Sequence, residues 1–229
     1  MMPKHFHKMV GAEITLVFSR WSGKAALILS VVIPVLAALA LNYFNQKTME
    51  INLDGSALSE FVDLSQGGAL KWGLYGRNLF LLPLLLVLAT AGSISGEIGD
   101  NTLRTVLWRP VSRTSILLAK VSALTALAAS SLILCFLVAY IAGATIFGLG
   151  EGAVRVSDIA QGYGVTILSD VGLIMITAAV GVFTGRVGRA TVSLVVLLMV
   201  DKALGLVLQG LAMVGVDGAE GKAEYLPGH

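Results

Sequence analysis

Charge is what this sequence has least of. Only 13% of its 229 residues are Asp, Glu, Lys or Arg, about half the share that a water-facing domain carries. That is too little to cover a soluble surface. Cysteine is almost missing: Cys135 stands alone inside an apolar run, so one chain can form neither a disulfide nor a zinc cluster. A buried thiol in that setting is a small packing residue. Histidine occurs only as His5, His7 and His229, near the two ends. With no His-Glu-x-x-His and no Ser or Cys nucleophile beside an evident base, the chain is not expected to be an enzyme. The net charge of +2 is too small to point to nucleic acid. No Gly-x-x-x-x-Gly-Lys-Ser/Thr loop occurs, so ATP is not bound here by that route.

Apolar residues are abundant instead, at 56% of the chain, with a mean hydropathy of +0.84. They fall into five uncharged or nearly uncharged stretches close to the ~20 residues that cross a bilayer as helix. These are 25–44, 78–96, 121–149, 161–185 and 190–216. The predicted fold is all-α: a polytopic membrane helical bundle forming one domain over 1–229. Pro34 predicts a kink in the first span and Pro83 lies near the start of the second. The third is long enough to tilt or project. Arg186–Arg189 leaves barely a turn between the fourth and fifth, predicting a tight hairpin.

Orientation follows from the distribution of Lys and Arg. With the N-terminus in the cytoplasm, ten of the sixteen lie inside: Lys4, Lys8, Arg20, Lys24, Arg104, Arg109, Arg113, Lys120, Arg186 and Arg189. Lys47, Lys71, Arg77, Arg155 and Lys222 fall outside, which predicts N-terminus in and C-terminus out. The basic N-terminal stretch lacks the apolar core and cleavage site of a signal peptide and is expected to be retained. Before the first span, Val10, Ile14, Val17 and Trp21 share a helical stripe beside Glu13, Arg20 and Lys24, predicting an interfacial helix over 9–24. The external loop 45–76 carries a short helix capped near Asp54-Gly55-Ser56 and stopped by Gly67-Gly68, with Trp72 and Tyr75 at an aromatic belt. Gly92-x-x-x-Gly96 and Gly181-x-x-x-Gly185 are close-packing spacings.

The most informative segment is the cytoplasmic connection 97–120. Asp100 or Asn101 can cap a short helix in which Leu103, Val106 and Leu107 recur at helical spacing. Pro110 ends it and biases Arg109 away from helical geometry. Ser112 then supplies a second cap, opening the helix that becomes the third span. A compact, basic, amphipathic element results, held between two spans at the membrane face. It suits docking into a groove on a cytoplasmic partner, with Arg104, Arg109 and Arg113 making charge-assisted contacts.

In this segment the sequence resembles the coupling segment of type-2 ATP-binding-cassette permeases. The matching positions are Glu97, Asn101-Thr102-Leu103, Leu107, Pro110-Val111-Ser112-Arg113, Ile116 and Lys120. The resemblance implies the membrane-spanning permease subunit of an exporter, multi-pass in a bacterial-type plasma (inner) membrane. Its partners would be two copies of a separate ATPase subunit holding ATP and Mg, a second permease copy or related permease, and membrane lipid. No cofactor is implied in this chain. Glu97, Thr102, Leu103, Arg104, Leu107, Trp108, Arg109, Pro110, Ser112 and Arg113 would couple ATP-driven closure to the spans. Family members commonly carry a sixth span near the C-terminus, where five are expected here.

Three charged residues fall inside predicted spans: Asp170, Asp201 and Lys202. Each costs on the order of 2.5–3.5 kcal/mol at a helix centre, so each needs a partner or a polar pathway. Asp170 and Asp201 lie at similar depth if helices rise about 1.5 Å per residue, and Lys202 is expected to pair with Asp170 across the hairpin. A different class of function, a proton-coupled secondary transporter using Asp170 and Asp201, would place these residues on the transport path.

Overall fold

A computed structural model of the chain describes residues 6–50, 65–79, 81–99, 112–148, 156–196 and 198–200. Every element among them is helical. Helix α1 (Phe6–Ser19) is followed by α2 (Trp21–Glu50), α3 (Gln66–Leu79), α4 (Leu81–Gly99), α5 (Arg113–Phe147) and α6 (Val156–Thr184). A shorter apolar helix, α7 (Val187–Val200), follows after Gly185.

Three clusters of buried side chains stack along the bundle and fix the direction of each helix. The basal cluster joins Val17 of α1 to Leu82, Leu86 and Ala89 of α4, Ala123, Leu124 and Leu127 of α5, and Ile174 of α6. The middle cluster holds Leu70 of α3, Leu132, Cys135 and Ala139 of α5, and Ile159 and Tyr163 of α6. The distal cluster brings Ala38 and Leu41 of α2 to Ala69 of α3, with Ala142 and Ile146 of α5 against them. Helices α2 and α5 therefore run from the basal to the distal end. The pair α3–α4 and helix α6 run back.

Among the described residues four helices are long and apolar enough to cross a membrane: Trp21–Lys47, Leu81–Ile98, Thr114–Phe147 and Ile159–Thr184. Their outward faces carry large apolar side chains, such as Ile28, Leu36, Ile133 and Leu168, with Phe183 at 90% exposure. In water that surface would be untenable; in hydrocarbon it is the solvated surface. The chain is a multi-pass helical membrane protein. The described part of the fifth predicted span is α7, and the remainder of 190–216 lies outside the described residues.

Several boundaries shift for identifiable reasons. The 9–24 helix is a separate element that ends at Ser19, and α2 begins at Trp21. At this corner a Cβ on Gly23 would collide with the Val17 carbonyl oxygen, so only glycine lets the two backbones meet. The 35-residue α5 spans roughly 52 Å at about 1.5 Å per residue, well beyond a ~30 Å hydrocarbon core. A helix of that length tilts in the bilayer or projects from it. Gly185, at φ +60°, ends α6 by donating its N–H to the Gly181 carbonyl at 3.0 Å. The Gly181 spacing is a close approach: a Cβ there would lie 2.7 Å from Ser95 Oγ of α4.

The larger correction concerns 45–76. Gly67 and Gly68 do not stop a helix; they are buried in the first turn of α3. Glycine weakens an isolated helix by about 1 kcal/mol per residue, so in sequence alone the pair looks like punctuation. In the bundle, small residues let α3 reach its neighbours. Hypothetical Cβ atoms on Gly73 and Gly143 would lie 3.3 Å from Ala139 and 3.1 Å from Ala69. Buried Gln66, Ala69, Leu70, Gly73 and Arg77 form one stripe, while Lys71, Trp72 and Tyr75 are exposed on the other side. The capped lid helix near Asp54 lies outside the described residues.

Candidate functional site

At the basal end, α1, α4 and α5 meet around one lysine. Lys120 sits one and two turns before Ala123, Leu124 and Leu127 on the core-facing side of α5, and only 2% of it is exposed. Its position aims the ammonium at the two helices packed there. Nζ donates to Glu13 Oε1 and Oε2 of α1 at 3.0 and 3.1 Å, and to Glu97 Oε1 of α4 at 2.6 Å. Arg20, at the corner before α2, lies 4.0 Å from the same Glu97 oxygen. Two carboxylates and two cations thus form a neutral network over three helices and a corner. A buried ammonium without such partners would be strongly unfavourable.

The network closes the base of the predicted coupling segment. Glu97 and Lys120 bound it, and their ion pair ties its two ends together. Ser112 occupies the predicted cap: at φ −68° and ψ 142° its side chain accepts from the Ser115 N–H at 3.2 Å. Arg113 is the first residue of α5. Thr102, Leu103, Arg104, Leu107, Trp108, Arg109 and Pro110 lie outside the described residues. The structure therefore brings together Glu97 and Lys120, and adds a residue that sequence reasoning missed, Glu13. Its signal was present: one acid at helical spacing within an otherwise basic N-terminal segment.

A second polar cluster lies inside the bundle. Arg77, at the end of α3, is fully buried. Its Nη2 donates to Asp170 Oδ2 of α6 at 2.7 Å and to Ser131 Oγ of α5 at 3.2 Å. Nη1 donates to Asn78 Oδ1 at 2.8 Å. Among the described residues Arg77 Nε has no partner. Asp170, only 5% exposed, therefore pairs with Arg77, a residue that falls in an external loop by sequence because four glycines disguise α3 as loop. The expected pairing of Asp170 with Lys202 is not decided by this, since Lys202 and Asp201 lie outside the described residues.

Among the described residues no group of three His, Cys, Asp or Glu could hold a metal ion. Cys135 is buried against the Gly73 carbonyl and the Tyr163 hydroxyl. Each cluster joins helices that are distant in sequence through charges that hydrocarbon would penalise if separated.

Helices of this length, apolar surfaces of this kind and buried charges held in interhelical pairs define a polytopic α-helical membrane protein. The chain belongs to the DUF2705 family, described as a protein of unknown function, whose family model matches residues 58–208. No curated protein and no solved structure matches it.

Proposed function

We propose that this chain is the membrane-spanning permease subunit of an ATP-driven exporter, working with a separate ATPase through the segment between α4 and α5. The observation that carries the reading is the clamp beneath that segment. Glu97 and Lys120, both positions of the resemblance, are ion-paired at 2.6 Å, and Ser112 caps α5 where the pattern requires. A push on a segment fastened at both ends is delivered to α4 and α5 together, and through Glu13 to α1. A loose connector would absorb it.

On this reading the basal end faces the cytoplasm, because ten of the sixteen basic residues fall, in the sequence, before the first predicted span or in the connections on that same side. The fifth span completes a bundle with its C-terminus outside. The membrane is a bacterial-type plasma membrane, and the complex holds two ATPase copies and a second permease. Proton-coupled transport through Asp170 is less well supported, because the Asp170 carboxylate is already engaged by Arg77.

Purification of a tagged full-length chain from its native membrane tests the proposal. An ATP-binding-cassette ATPase should accompany it in stoichiometric amount. Combined Arg104→Glu and Arg109→Glu should release that ATPase while leaving the permease in the membrane. Should the chain purify with no ATPase, and its membranes show no ATP-dependent transport, the proposal fails.

A further inference from the structure

We infer that α3 is a latched gate on the distal side of the bundle, held shut by the Arg77–Asp170 ion pair. Four features of α3 lead there. Its buried stripe, Gln66, Ala69, Leu70, Gly73 and Arg77, contains only one large apolar side chain, so hydrophobic burial holds it weakly. Four glycines in its 14 residues give it little helical stability of its own.

Polar bonds do the holding. Besides Arg77, Gln66 Nε2 donates to the Tyr140 carbonyl at 3.4 Å, and the Tyr163 hydroxyl donates to the Leu70 carbonyl at 3.1 Å. Of these, the ion pair is the one whose loss leaves a charge stranded in the interior. Finally, the opposite face has what an interfacial helix needs. Lys71, Trp72 and Tyr75 are exposed, with the Lys71 ammonium 5.9 Å from the Tyr75 ring centroid and the two aromatic rings edge to face at 6.1 Å. A helix with one weakly held small and polar face and one amphipathic face has a second resting place at the membrane surface. Two such arrangements are what a gate requires.

Release would uncover a polar seam on α5 and α6 consisting of Ser131, Asp170 and Cys135. The gate lies at the end of the molecule opposite the proposed coupling segment and does not depend on ATP coupling for its argument.

Cys135 is the native reporter. It is the only cysteine in the chain and is fully buried beneath α3. The full chain in membranes is treated with a water-soluble, membrane-impermeant maleimide added from each side in turn. In the parent, Cys135 should be protected. Asp170→Asn should raise its labelling rate from the distal side by at least about ten-fold, since labelling tracks the population of the open form when reclosure is fast. A control in the Cys135→Ala background places Ala123→Cys in the basal cluster. It should stay protected with and without Asp170→Asn, which separates release of α3 from general unfolding. Adding Ala69→Cys with Gly143→Cys to the Asp170→Asn chain and oxidising them should return Cys135 to parental protection. The inference is overturned if Cys135 remains protected in both Asp170→Asn and Arg77→Met. It is equally overturned if the position 123 thiol becomes labelled in step with Cys135, which would make the pair a structural support only.

Discussion

Lys120 shows how one side chain can be both a liability and a fastening. Its ammonium is taken out of solvent but given three short bonds to two carboxylates that remain about one-fifth exposed. Lys120→Met leaves Glu13 and Glu97 facing each other. It should lower stability by about 1–3 kcal/mol, less than the full loss of a deeply buried pair because water still reaches both acids. Thermal unfolding in detergent would read this. Glu13→Gln should cost less, because Glu97 still holds the lysine. Glycines sort in the same way, by what surrounds them. Gly11 has open space where a Cβ would go, so Gly11→Ala should stabilise α1 by about 0.5–1 kcal/mol. Gly23→Ala meets the Val17 carbonyl and should destabilise. If Gly23→Ala failed to destabilise in the same thermal assay, the tight corner between α1 and α2 would be refuted.

Among the elements, α5 is the axis. It contributes to all three buried clusters, and its first turn begins at a serine cap. Ser112→Ala should fray that turn at a cost of about 1 kcal/mol, and Ser112→Asp should retain it. Faster proteolysis near residue 112 in the alanine variant, but not the aspartate one, is the expected result. Equal rates would mean that the cap contributes nothing. Helix α3 is the element the sequence concealed. Its glycines and single arginine look like external loop when taken in order. They become a helix face only when Gly143, Ala139, Ser131 and Asp170 stand opposite. Helices α5 and α6 were legible from their long uncharged runs, and the Ser112 cap from the proline just before it.

For the molecule as a whole, the apolar exterior fixes the solvent and the charge asymmetry fixes the proposed direction. On a Cys135→Ala background, Thr145→Cys at the distal end should react with an impermeant reagent in intact cells. Ser112→Cys at the basal end should react only after permeabilisation. The reverse pattern would place the clamp outside and remove the physical basis for coupling to a cytoplasmic ATPase.

The sequence by itself determined the class of this protein. Thirteen per cent charge, spread between apolar runs of bilayer length, admits one architecture, because hydrocarbon forces a backbone to satisfy its hydrogen bonds within helices. It also marked Glu97, Ser112, Lys120 and Asp170 as positions to explain, since their chemistry is costly or specific wherever they lie. Only the tertiary structure decided what they touch. The partner of Asp170 is 93 residues away, and that of Lys120 on α1 is 107 residues away. No local pattern carries such a pairing. It is settled by which helices stand side by side and at what height, and that depends on the small residues that let them approach.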